Sequence, residues 1–204
     1  MMISPREITL GLYGAFRLAL LDVRGMAYFN CTEAGFWRSF TAAAIAAPGF
    51  IALTILHLLH PQGMEMLEIA GSFRVLSIET IAYVIGWVAF PLAIFYISAV
   101  LDRQKEFIRF IIAYNWSGVI QIIVLVPIVT LNAYEVFPQS FGALLSMVVT
   151  MALFYYQWFI AKTALKITAA PAAMVVCIDV ALSILITGTA NALLYGATAA
   201  VPAT

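Results

Sequence analysis

Charge is what this sequence has least of. Ten Lys and Arg and ten Asp and Glu make up 10% of 204 residues, whereas a soluble domain carries about 25%. So few charges cannot coat a water-facing surface, which excludes an ordinary soluble globule. The formal net charge is zero, so no basic excess marks the chain as a nucleic-acid binder. Cysteine is nearly absent: Cys31 and Cys177 are the whole complement, and two thiols this far apart in sequence support neither a disulfide framework nor a zinc cluster. Histidine is as scarce, and neither His57 nor His60 lies deep in an apolar run where it would ligate haem. The chain also lacks H-E-x-x-H, G-x-S-x-G and a phosphate-binding glycine loop, the spacings that metal, nucleophile and phosphate chemistry require. We therefore expect no catalytic residue, no resident metal and no cofactor.

What is abundant is apolar surface, 64% of the residues with a mean hydropathy of +1.03. Lipid offers the backbone no hydrogen-bond partners, so a spanning segment must be a helix of about 20 apolar residues. Charge-free intervals measure that directly. There are 26 residues between Arg38 and Glu65, 22 between Glu79 and Asp102, 25 between Arg109 and Glu135, and 26 between Glu135 and Lys162. Beyond Lys166 the only charge is Asp179, leaving room for one more span. The expected fold is all-α, a polytopic bundle of five transmembrane helices at about 39–60, 77–101, 108–131, 142–165 and 171–195, forming a domain over 32–204 behind an N-terminal segment at 1–31.

Five spans put the N-terminal segment, the 102–109 loop and the 162–170 loop on one side of the membrane, together with nine of the ten basic residues. Lys and Arg favour the cytoplasmic side in short loops. The expected topology is N-terminus in the cytoplasm and C-terminus outside. The first 38 residues carry Arg6, Arg17, Arg24 and Arg38 before any long apolar run, a pattern unlike a cleaved signal peptide.

Ser4-Pro5-Arg6-Glu7 is a helix start, with a capping Ser, a Pro at the first helical position and Glu three residues after the cap. From there Ile8, Leu12, Ala15, Phe16, Ala19, Leu20, Val23 and Ala27 recur at three and four, an apolar stripe with Arg6, Arg17 and Arg24 largely off it. Such a helix suits the headgroup layer, or packs on the protein's own helices or a partner subunit. Gly25 is expected to loosen its end, and Thr32 to cap a helix through Trp37 and Arg38 into the first span.

Asp179 is a carboxylate deep inside a span, and such a group costs about 2.5 to 3.5 kcal/mol on insertion scales. Asn115 and Gln157 lie at a similar depth, so the three are expected to form one intramembrane polar layer. A neutral Asp179 hydrogen-bonded to Asn115 or Gln157 would act as helix glue; an ion or proton relay is the alternative. Gly142, Ser146 and Thr150, and again Gly188, Ala192 and Gly196, form small-residue ladders that let helices approach closely. They serve internal packing or a dimer seam. Pro48, Pro91 and Pro127 fall inside the first three spans and are expected to kink them. His57 and His60 with Glu65 and Glu68 offer metal-ligating groups, but Pro61 and Gly63 interrupt the set, and solvated interfacial residues are the simpler account.

The layout, in GFWRSF at 35–40, AVLDRQKEFIRFIIAYNW at 99–116 and KTALKITAAPAA at 162–173, resembles that of the Yip family (Ypt-interacting proteins) of five-span membrane proteins, in particular its short bacterial members. The aspartate-leucine-tyrosine-glycine-proline motif of eukaryotic members is absent. The resemblance implies a five-helix bundle without known catalysis, engaged in membrane organisation or with protein partners, and it transfers no site residues. The expected function is that of a non-catalytic scaffold or accessory subunit of a bacterial inner membrane, bound to lipids, to itself or to other membrane proteins. The alternative is a small transporter or channel subunit built around Asp179.

Overall fold

The computed structural model describes residues 4–196, and among these every regular element is helical. Five helical segments are long and apolar enough to cross a membrane: Glu33–Leu59, Ser72–Val100, Gln104–Ala133, Gln139–Ala164 and Ala169–Tyr195. These five helices fit an integral membrane protein. The helices are α1 (Pro5–Ala19), α2 (Glu33–Ser39), α3 (Thr41–Leu59), α4 (Pro61–Ala70), α5 (Ser72–Val100), α6 (Phe107–Ala133), α7 (Gln139–Ala164) and α8 (Ala169–Tyr195). The first span is made of α2 and α3 together, interrupted at Phe40. Helices α3, α5 and α6 continue through Pro48, Pro91 and Pro127.

The centre of the bundle is α6. In its most apolar stretch 39% of residues are buried, against 11–17% in the other four spans, so α6 is covered by protein where the others face outward. It packs on α1, α2, α3 and α7, while α8 closes the bundle against α5 and α7. The main core follows, with Phe110, Ile111, Ile112, Ala113, Trp116 and Val119 of α6 among Ala15, Leu18, Ala42, Ala46, Ile160 and Ala164. Lys166 reaches Glu106 at 2.5 Å and Arg109 pairs with the same carboxylate, joining the loops before α6 and after α7 at one end. We call it the basic end.

Helix α1 starts as its sequence dictates, with the Ser4 hydroxyl accepting from the Glu7 N–H at 3.2 Å. Its end departs from expectation. The stripe was expected to continue to Val23 and Ala27, but the helix stops at Ala19 and Leu21 turns the chain at φ +60°. The Asp22 N–H bonds back to the Arg17 carbonyl and the Leu21 N–H to that of Leu18, the two bonds of a Schellman cap. Asp22 is locked there by Arg17 and by Arg24, and these partners, Arg24 first, hold its carboxyl well below the usual carboxylate range. Gly25 does not loosen the helix; it lies in a 3₁₀ turn (Val23–Tyr28) folded back on α1, where a Cβ would sit 2.6 Å from the Gly14 carbonyl oxygen.

A left-handed residue that is not glycine ends three other helices as well. Asp102, Glu135 and Lys166 adopt φ of +54°, +50° and +54° after α5, α6 and α7, and the next N–H reaches back to Ser98, Leu131 and Lys162 respectively. Between the first two spans lies α4, a helix inside a stretch read from sequence as loop; it joins α5 through Gly71 at φ +77°.

Candidate functional site

Three helices turn compatible faces toward one space near the middle of the bundle. Glu79, Tyr83, Gly86, Trp87 and Phe90 on α5 recur at three and four, as do Tyr114, Gly118, Gln121 and Leu125 on α6 and Asp179, Ser183, Ile186 and Thr187 on α8. With Ala46 and Phe50 of α3 they line an open cavity of about 370 Å³. The spacing is that of one helix face; the space exists because Gly86 and Gly118 contribute no side chain to it. A Cβ at Gly86 would meet nothing within 4 Å, and one at Gly118 would touch the Trp87 ring.

Asp179 stands in the wall of this cavity. Its Oδ1 accepts from the Tyr114 hydroxyl at 2.8 Å and its Oδ2 from the Gln157 amide at 3.0 Å. The Gln157 amide also approaches the Gln121 carbonyl oxygen at 3.3 Å, linking α6, α7 and α8 through polar side chains. One aromatic wall is fixed from outside: the Tyr83 hydroxyl donates to the Ala43 carbonyl at 2.6 Å, its ring stacks on Phe50, and Phe90 packs against Tyr114.

Of the expected polar layer, Gln157 and Asp179 are brought together and Asn115 is not. Asn115 points the other way, fully buried, and donates to the Ser39 hydroxyl at 2.9 Å, at the joint of α2 and α3. Asn115 is turned off the face that Asp179 meets, because one residue along a helix is a rotation of about 100°. Asn115's neighbour Tyr114 takes the place facing Asp179. A tyrosine within a span reads as apolar from sequence, which hides its hydroxyl. The i, i+7 spacing of Tyr114 and Gln121 was the signal available.

The two small-residue ladders differ. On α7, Gly142 is buried against Asn132 of α6, whose amide donates to the Gly142 carbonyl at 3.3 Å and to the Ser146 hydroxyl at 2.6 Å, with Thr150 half-buried beyond. That ladder is an internal seam. On α8, Gly188, Ala192 and Gly196 are exposed, and among the described residues nothing lies within 4 Å of a Cβ at Gly188 or Gly196. His57, His60, Glu65 and Glu68 are all exposed, and the described residues contain no group of three or more His, Cys, Asp or Glu placed to hold one metal ion.

No protein-family model, no curated protein and no solved structure matches this chain. Its function has to be argued from its own geometry.

The N-terminal segment is the second feature with functional bearing. α1 lies against α6 and α7: a Cβ at Gly11 would fall 2.4 Å from the Trp116 ring, and the Tyr156 hydroxyl donates to the Ala15 carbonyl at 2.7 Å. Arg38 pairs with Glu7 at 2.8 Å. One face of α1 therefore packs on the protein's own helices. Tyr13, Phe16, Leu20, Leu21 and Val23 remain exposed on this non-spanning segment.

Proposed function

We propose that this chain is a non-catalytic scaffold or accessory subunit of a bacterial inner membrane, which engages lipids or partner membrane proteins through its N-terminal segment. The observation that carries the reading is the exposed strip of Tyr13, Phe16, Leu20 and Val23 on a segment firmly docked to the bundle. Apolar side chains on a membrane span need no cover but lipid; on a helix outside the spans they need the headgroup boundary or a protein. Arg6 and Arg24 are exposed on the same segment and suit anionic headgroups on the cytoplasmic face. In this reading α1 is an amphipathic interfacial helix with the N-terminus inside and the C-terminus outside. The outward-facing Gly188, Ala192 and Gly196 offer a second contact surface, and the resemblance in layout to the Yip family points the same way.

The test is photo-crosslinking in native membranes from p-benzoylphenylalanine placed at Phe16 and at Leu20. Discrete protein or lipid adducts from these positions, and none from exposed Gln62 at the other end, are expected. Absence of adducts at Phe16 and Leu20 overturns the reading. Orientation is read from Cys31, exposed and outside the spans. In a Cys177→Ser background an impermeant maleimide should label it only after the membrane is opened.

A second reading, a small transporter or channel subunit, is favoured by the cavity with Asp179 in its wall. Proton- or ion-coupled flux in liposomes holding the purified chain alone, lost on Asp179→Asn, would establish it over the first.

A further inference from the structure

We propose that the cavity between α3, α5, α6 and α8 is a binding site for a lipophilic monocation, an ammonium on a compact apolar body, with the ammonium held at Asp179. Four observations converge on this ligand class. The cavity, at about 370 Å³, falls in the size range of small-molecule sites, roughly 300–1,000 Å³. Its lining includes the carboxylates Asp179 and Glu79 and no Lys, Arg or His, and neither carboxylate has an ion-pair partner among the described residues. Asp179 spends one acceptor position per oxygen on Tyr114 and Gln157, while a carboxylate offers about four, so acceptor positions remain for an N–H donor at a residue that lines the cavity. The lining also includes the aromatic residues Tyr83, Trp87 and Phe90, a ring type that attracts cations and covers an apolar body at once.

The same lining disfavours other occupants. A phospholipid headgroup would bring a phosphate, for which no basic side chain is present in the wall. A fully hydrated metal ion would leave the aromatic wall without a partner. Arg74 of α5 donates to the Leu193 carbonyl of α8 at 2.7 Å, which sets the antiparallel register of the two helices. On that register Glu79 lies about 14 Å along the bundle from Asp179 at 1.5 Å per residue. Glu79 thus stands nearer the end opposite the basic loops and draws cations toward the deeper carboxylate.

The probe is tritiated 1-adamantylammonium, measured by scintillation proximity on the full chain in mild detergent, with protein-free micelles as background and 1-adamantanol as the uncharged competitor of the same shape. Saturable binding of one molecule per chain is expected, with adamantanol and phosphatidylethanolamine competing poorly. A charge-assisted hydrogen bond contributes about 1.5–3 kcal/mol, so Asp179→Asn should weaken binding about tenfold or more, and Asp179→Glu should retain most of it. Gly86→Leu is the independent variant: Gly86 lines the cavity and a Cβ there would meet nothing within 4 Å, so the larger side chain should abolish binding while the chain stays monodisperse and folded. Should Asp179→Asn fail to fold, the Gly86→Leu arm and the adamantanol comparison decide. Uptake no greater than in empty micelles, equal competition by adamantanol, or full affinity in Gly86→Leu overturns the proposal. None of these outcomes depends on the scaffold reading, which the crosslinks test separately.

Discussion

Toward the basic end, α6 is wrapped by α1, α2, α3 and α7, and buried side chains run without a gap from Phe110 to Ala113 and on through Trp116 to Val119. Toward the other end the second buried cluster shrinks to Met66, Val75 and Leu194, and between the two a cavity opens. Glycine serves opposite purposes in the two regions. Gly11 is small because the Trp116 ring occupies the place of its side chain; Gly86 faces space that nothing occupies. Where packing is tight, small residues admit neighbours, and where it is loose they leave room. The first region is close-packed and the second leaves a cavity.

Several measurements break or sharpen that contrast. Trp116→Ala should cost about 3–5 kcal/mol, read as a drop in thermal unfolding temperature in detergent, because it hollows the tight region where α1 docks; a loss below about 1 kcal/mol would deny that α1 is held there. Ser39→Ala comes next. It strands the buried Asn115 amide, whose Oδ1 already lacks a partner, and should cost about 1–3 kcal/mol. In the loose region Gly86→Leu should leave stability unchanged or raise it by up to about 1 kcal/mol, since glycine in a helix interior is unfavourable by that much. Destabilisation there would mean the cavity is closed in solution. Smaller still, Asp102→Gly should gain about 0.5–1 kcal/mol by relieving a left-handed residue at an exposed helix end. The smallest effect is one of pH. Because the Asp22 carboxyl is depressed in the folded chain by Arg24 and Arg17, its contribution is complete above the ordinary aspartate value, about 3.9, and fades only as pH falls below it. Limited proteolysis of the α1 turn should therefore be unchanged between pH 7 and pH 5 in the native chain.

The span count and the up-and-down order were legible because charge-free intervals report a constraint imposed by lipid, independent of any side-chain contact. The start of α1 at Ser4 and Pro5 was legible through local cap chemistry. Its end was not, since Leu21 takes a conformation normally signalled by glycine, and the same holds at Asp102, Glu135 and Lys166. Helix α4 was hidden by its length of 10 residues and by Pro61 and Gly63, which read as breakers although Pro61 opens the helix. Of the candidate site, Asp179 and Gln157 could be found because polar groups are rare in spans. Tyr114, Gln121 and the aromatic wall could not, because which face of each helix turns inward depends on packing among segments far apart in sequence.

That distance has a temporal side. The Tyr156 hydroxyl that holds the Ala15 carbonyl lies 141 residues further along the chain, and at about 5–20 residues per second the ribosome takes roughly 7–30 s to supply it. Helix α1 is complete long before its seat exists. Docking of α1 against α6 and α7 is therefore completed late, by capture against helices that are made after it.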